Sequence, residues 1–160
     1  METLERILAE HPFFEGLDER HMAIVTGCAS NVRFASGEYL FHEREEANRF
    51  FLIREGKVAL TVPNPERDSI PIQTLGPGEV VGWSWLIPPH QWRFDARADG
   101  LVRAFALDGK CLRGKCQEDH DLGYALLMQV TTIIAQRLHH TRNELLQFYN
   151  AWSILSEDRS

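Results

Sequence analysis

From Trp92 to Asp99 the side chains alternate in character. Trp92, Phe94, Ala96 and Ala98 fall on one face of an extended chain, and Arg93, Asp95, Arg97 and Asp99 on the other. A period of two marks a half-buried strand, which needs a sheet to pair with and a core to face. The residues leading into it narrow the choice of fold. A turn, Leu75-Gly76-Pro77-Gly78, opens the stretch, and a short apolar run, Val80-Val81, follows. Gly82 then precedes a compact aromatic segment, Trp83 to Pro89, that prolines bring to a stop. Strand, glycine, one helical turn and returning strand together enclose a small pocket. The N–H groups after Gly82 would then stand at a helix N-terminus, a natural place for an anion. Three of the four tryptophans, Trp83, Trp85 and Trp92, lie here, either as core or as pocket wall. Candidate ligand-binding residues are Gly82, Trp83, Ser84 and Trp85 on the outgoing side and Trp92, Arg93 and Phe94 on the returning side.

Upstream, Leu4, Ile7 and Leu8 repeat at helical spacing, and His11-Pro12 ends that helix because the residue before proline avoids helical geometry. Phe13, Phe14 and Leu17 are core anchors. Asp18 caps a second helix that carries Met22, Ile24 and Val25 and stops at Gly27. From Ala29 the chain changes to short strands broken by turns: Val32 and Phe34, a turn at Ser36-Gly37, then Tyr39 to Phe41. Arg49 to Ile53 reads as a buried strand, Glu55-Gly56 as a tight hairpin turn and Lys57 to Val62 as its partner. Pro63 to Asp68 reads as a loose loop, and Pro71 demotes the strand of Ile70 and Ile72 to an edge. A last strand runs from Leu101 to Leu107. Seven or eight short strands of this kind predict a closed antiparallel roll or barrel.

Asp108 caps a further helix, and a long helix runs from about Asp119 to Tyr149. In it Leu127, Val130, Ile134, Leu138, Thr141, Leu145, Phe148 and Trp152 recur at spacings of three and four, a heptad-like seam longer than a small barrel can cover. The seam predicts a homodimer through this helix, with packing on the protein's own barrel as the alternative. The tail, Ser156 to Ser160, is expected to fray. The fold class is thus α+β, mainly β: an antiparallel β-roll (a jelly roll) with N-terminal helices over residues 1–118, followed by a long C-terminal dimerisation helix and tail over 119–160.

Composition excludes several classes of function. A chain of 160 residues, 44% hydrophobic and 25% charged, is long enough for one globular core. Its net charge of −6, with no Lys/Arg cluster, argues against direct nucleic-acid binding. No apolar run approaches the ~18 residues of a membrane span. The acidic, amphipathic N-terminus is unlike a signal peptide, so a cytoplasmic location is expected. The cysteines Cys28, Cys111 and Cys116 are odd in number and unpatterned, which suggests a reducing compartment and mostly buried thiols. A barrel metalloenzyme would need an H-x-H set with a later glutamate and histidine, and there is none; neither a nucleophile–base pair nor a metal set can be argued, so no enzyme activity is expected. Arg97 and Asp95, two apart, can pair along one strand face, but a solvated face is the expected reading.

Three segments in order carry a resemblance: FASGEYLFHE, RFFLIREGKVALTV and LGPGEVVG. They resemble the F-x-x-G-E-x-(I/L)-(F/Y) turn, the glycine hairpin and the L-x-x-G-(D/E)-x-(F/V)-G approach to the phosphate-binding cassette of the cyclic-nucleotide-binding domain superfamily, typified by catabolite-activator-like regulators. The resemblance covers about residues 10 to 150. It implies a non-catalytic regulatory domain that senses a small molecule, a cyclic nucleotide or another small anionic ligand, and needs no other cofactor. In the family a glutamate follows the cassette glycine and accepts the ribose hydroxyl; here Trp83 stands there, and an indole offers no carboxylate. The family also places an arginine about eleven residues past that glycine, beside a serine or threonine, to pair the phosphate. Counted without gaps, that position is Arg93 with Phe94 beside it; aligned on Ala96-Arg97-Ala98, it is Trp92. One residue of slip decides which side chain faces the pocket. The expectations are therefore weak or absent cyclic AMP binding or, as the alternative, a ligand-free dimerisation or partner-binding module whose pocket Trp83, Trp85 and Trp92 fill. In the liganded case phosphate would dock at the N–H groups of Trp83 and Ser84, and the Trp83–Leu86 turn would shift. The family's DNA-binding form carries a helix-turn-helix after the long helix, and the chain ending at Ser160 is expected to lack one.

Overall fold

The computed structural model of the chain describes residues 4–157. It opens with α1, Leu4–Ala9, and a single 3-10 turn, Pro12–Phe14, before α2, Glu19–Thr26. Asp18 caps α2 as its spacing predicts: its side chain accepts the His21 N–H at 2.8 Å. Six strands follow: β1 Ala29–Phe34, β2 Tyr39–Phe41, β3 Arg49–Asn64, β4 Arg67–Leu75, β5 Val80–Val81 and β6 Asp95–Asp108. They form one antiparallel sheet in the order β1-β6-β3-β4, with β2 added to β6 and β5 to β3. The architecture is the antiparallel jelly roll with helices at both ends.

Two strands were expected to be cut where they are continuous. Glu55-Gly56 is no hairpin turn. β3 passes through it for 16 residues, and the pairing with β6 shifts register on either side of Glu55. Gly56 has φ +90°, and a Cβ there would collide with the Leu101 carbonyl oxygen. Its role is a bulge that lets β3 bend while staying on β6. β6 likewise runs through Gly100 for 14 residues. The true hairpin lies further on. Asn64 pairs with Arg67 around Pro65-Glu66, and the Asn64 side chain accepts the Glu66 N–H, so the expected loose loop is a tight turn. β4, with Pro71 opposite Thr61, is the sheet's edge, as its proline requires.

Phe50, Phe51, Leu52, Ile53, Val58 and Leu60 of β3 and Ala96, Ala98, Val102 and Ala104 to Leu107 of β6 form the heart of the core. Phe13 and Phe14 close it at the N-terminal end, Phe13 edge-on to Phe50 at 5.9 Å. After β6, Asp108 caps α3, Gly109–Glu118, by accepting the Cys111 N–H at 2.9 Å. The expected free thiols at 28 and 111 are instead a disulfide. The β1–β6 ladder sets Ala29 opposite Leu107, and Asp108 N–H donates to Cys28 O at 2.8 Å, so positions 83 apart in sequence meet with their Cα atoms 6.2 Å apart. Cys116 is free, and burial raises its thiol pKa above the ordinary value, with the Asp119 carboxylate adding to the shift.

α4 spans His120–Glu157, eight residues past the expected end. Its 38 residues make helix outweigh strand by residue count around the expected β-roll. Of the tail, Ser156 and Glu157 are helical, and residues 158–160 lie outside the described residues. Two compact units divide between Leu126 and Leu127. The first holds the roll, α1 to α3 and the first turns of α4, where Leu122 and Leu126 are fully buried. The second is the remainder of α4, along which Leu138 and Phe148 are each 70% exposed and Trp152 61%. Among the described residues no helix is long and apolar enough to cross a membrane.

Candidate functional site

The cassette begins where β4 ends. Glu79 fixes the turn, accepting the Gly76 N–H through Oε2 at 2.6 Å, while Gly78 N–H donates to Ile53 O and Ile53 N–H to Glu79 O. β5 then pairs with Phe51 and Leu52 of β3. Gly82 turns the chain out of β5 at φ +92°, a left-handed conformation that favours glycine. The next residues are not helical: Leu86 N–H donates to Trp83 O at 3.1 Å in a single turn. The expected helix N-terminus is therefore absent at Trp83 and Ser84, and with it the dipole argument for an anion there.

The returning segment is held by the loop between β2 and β3. Trp92 N–H donates to Glu45 O at 3.0 Å, Arg44 N–H to Trp92 O at 2.8 Å and Ala47 N–H to His90 O at 2.7 Å. This clamp drives the Trp92 indole inward. It is 3% exposed and stacks on Phe41 at 3.8 Å with the planes 9° apart. A Cβ on Gly82 would overlap Trp92 Cζ3, so the ring lies flush against the cassette glycine. Phe94 is buried beside it, 5.8 Å from the Phe41 ring, and the half-buried Trp83 meets Phe94 edge-on at 6.1 Å. Arg93 is exposed. The slip between the two alignments thus falls with Trp92 inside and Arg93 outside.

Gly82, Trp83, Trp92 and Phe94 come together at one place. Two other candidates do not share it as open wall. Trp85 is wholly buried in the core, stacked on Phe50 at 4.4 Å, and Ser84 is 6% exposed. The solvated face expected of Asp95 and Arg97 holds for Arg97, which is exposed, and fails for Asp95. Asp95 is buried and accepts the Glu43 N–H at 2.7 Å, with His42 Nδ1 3.8 Å away, because β6 begins only at Asp95 and the loop closes over it. Arg97 donates to Gly37 O and lies over the Tyr39 ring.

Sequence reasoning missed Arg113, which joins the cassette to α3. Its Nη1 donates to Trp85 O at 2.5 Å and to Ala47 O at 3.2 Å, and its Nη2 reaches Asn48 Oδ1 at 3.5 Å. A single arginine on a short helix gives no periodic signal, and only the fold brings three acceptors to it. Between Phe41, Phe51 and Trp92 on one side and Glu45 and Arg49 on the other lies a pocket of about 150 Å³. Ordinary ligand pockets occupy roughly 300–1,000 Å³. The Arg49 guanidinium is itself 5.3 Å from the Phe51 ring centre. The Phe41 and Trp92 rings, stacked on each other, form one part of the pocket's wall.

Residues 31–119, more than half of the chain, match the cyclic nucleotide-binding domain family. A CRP-like cAMP-activated global transcriptional regulator of Mycobacterium tuberculosis is 27% identical over 142 residues, covering 89% of this chain and 62% of the regulator. The chain thus spans about three fifths of that relative's length. Among solved structures, a protein of Geobacter metallireducens GS-15 assigned to the cyclic nucleotide-binding class superposes with a TM-score of 0.78 at 26% identity, covering 86% of this chain and 100% of that one. The N-terminal domain of a transcriptional regulator from Streptomyces coelicolor A3(2) gives 0.64 at 28% identity, covering 87% and 94%. With the jelly roll, the cassette position and these likenesses in agreement, the chain belongs to the cyclic nucleotide-binding domain family.

Proposed function

We propose that this chain is a non-catalytic, small-molecule-sensing regulatory domain whose cassette is closed by an aromatic plug, so that cyclic AMP binds weakly or not at all. The observation that carries the reading is Trp92, stacked on Phe41 and seated against Gly82 while Arg93 stays in solvent. A cyclic phosphate needs a cation inside the pocket and its ribose needs a carboxylate; Trp92 and Trp83 supply neither. Each lost hydrogen bond to a charged group costs roughly 1.5–3 kcal/mol. Two such losses lower affinity by about two to four orders of magnitude at 1.4 kcal/mol per tenfold. A ligand that does enter must move the Trp92 ring. The Trp85 carbonyl then carries the movement to Arg113 and α3.

Calorimetry with cyclic AMP is the test. The expected outcome is no heat of binding at micromolar ligand. A micromolar dissociation constant that Arg93→Ala abolishes would overturn the reading, since Arg93 would then have to enter the pocket.

A second reading is supported by the long apolar helix. The pocket stays filled, and the domain acts as a homodimer through α4 or as a partner-binding module. Leu138, Leu145, Phe148 and Trp152 are each more than 60% exposed, a cost in water that a second helix would remove. In either reading the net charge of −6 supports no direct contact with nucleic acid, and the compartment we assign is the cytoplasm, which fractionation of expressing cells tests.

A further inference from the structure

A roll with this much buried apolar surface does not need a covalent staple, yet Cys28 and Cys111 are joined. The bond ties the residue before β1 to the first turn of α3. Other contacts already dock α3. Leu112 is fully buried, Gly109 N–H donates to Asn48 O at 2.8 Å, and Arg113 reaches the Trp85 and Ala47 carbonyls. The disulfide is therefore additional to a helix that is held without it.

Both cysteines lie in the wall of an open cleft of about 490 Å³. Its charged groups are Arg49, Lys110 and Asp108. Asp108 is committed to the Cys111 N–H as a helix cap, whereas Lys110 is exposed. Lys110 and Arg49, whose guanidinium lies over the Phe51 ring, outweigh the single Asp108 carboxylate and leave the cleft a net positive charge, which favours an anionic visitor. Cys28 is buried and Cys111 only half-buried, so a nucleophile in the cleft meets Cys111 first.

We propose that Cys28–Cys111 is a reversible thiol–disulfide switch, opened by an anionic low-molecular-mass thiol of the glutathione class that docks between Arg49 and Lys110. The small thiolate attacks Cys111 Sγ, the S–S bond breaks, and its electron pair leaves on Cys28 Sγ, which takes up a proton. A second small thiolate then attacks the small thiol's sulfur in the mixed disulfide, and Cys111 leaves as a thiolate and is protonated. The net exchange oxidises two small thiols to their disulfide and reduces the protein disulfide to two thiols; the reverse closes it. Cys116 does not compete for Cys111, because five residues along the same helix set it about 140° round the axis. Opening leaves α3 on its hydrogen bonds and apolar contacts alone, so its amides exchange faster.

The test equilibrates the whole chain in glutathione buffers of graded ratio, quenches in acid, alkylates, and weighs each cysteine peptide. Cys28 and Cys111 are expected to pass together from disulfide to dithiol within the buffering range, with the mixed disulfide trapped on Cys111. Reduction by glutathione, relative to neutral β-mercaptoethanol, should slow about two- to fivefold in Lys110→Gln, the size of an exposed charge pair. A disulfide intact at the most reducing ratio, or one that never forms, overturns the switch. So does hydrogen exchange over residues 112–118 that is equal in the two states. An unchanged glutathione-to-mercaptoethanol ratio in Lys110→Gln overturns the docking cleft.

Discussion

At φ +92° Gly82 occupies backbone space that other residues enter only under strain, and Trp92 fills the volume where its side chain would lie. Gly82→Ala should therefore cost about 3 kcal/mol or more, from left-handed strain of about 1–2 kcal/mol plus overpacking. In a Trp92→Leu background the overpacking disappears and the strain stays, so urea denaturation of the four proteins should give a non-additive cycle. Additive costs would mean that the indole does not sit on the glycine. His11 is a second residue whose setting has a measurable consequence. It is 8% exposed, its Nδ1 accepts the Phe13 N–H, and burial lowers its pKa to about 4. Its Nε2 has no hydrogen-bond partner among the described residues. The unfolded chain takes up this proton near the ordinary 6.5 and the folded chain only near 4, so stability is full above 6.5 and falls with pH between those values. The loss approaches about 3 kcal/mol at the acid end. Melting curves from pH 7 to 4 should show this component in the wild type and not in His11→Asn, which keeps an acceptor for Phe13; an equal slope in both would assign the acid sensitivity elsewhere.

Among the elements, those specified by neighbours in sequence were legible and those specified by distant partners were not. Asp18 and Asp108 cap α2 and α3 because a cap needs only the next three residues. Pro71 marks the edge strand by the hydrogen bond it cannot make. Glu55-Gly56 misled because a glycine that turns a hairpin and one that admits a passing carbonyl look the same without Leu101 in view. The same holds for the site. Alternation put Trp92 and Phe94 on one face, but the β2–β3 loop that turns Trp92 inward, and the Arg113 clasp, appear only once the sheet has closed. The disulfide was illegible because the Ala29↔Leu107 register creates it. For α4 the periodicity was enough to propose a pairing seam. Leu138→Glu should put charges into it and shift the chain to monomer in sedimentation. A wild type already monomeric at tens of micromolar, where a dimer of about −7 kcal/mol would form, rules the seam out.

At the level of the whole molecule, β6 is the hub. It pairs with β1, β2 and β3, begins just past the buried Trp92 and ends at the cap of α3. The cassette and the disulfide thus stand at its two ends. This arrangement also sets the order in which the chain can assemble. The β3–β4 hairpin closes locally, Val62 on Ile70, but Phe51 has no partner in β6 until Ala106 exists. At roughly 5–20 residues per second, β3 is exposed on the ribosome for on the order of several seconds before β6 is complete. Arrested chains ending before Asp108 should be cut by protease across β3, and chains extended past α3 should resist; equal resistance would mean that β3 finds another partner first. Because so much of the sheet depends on one late strand, folding is expected among the slower, non-local class, on milliseconds to seconds. For those seconds the most hydrophobic run of the chain, Phe50 to Ile53, is an open strand edge, the point in the protein's life when aggregation most readily competes with folding.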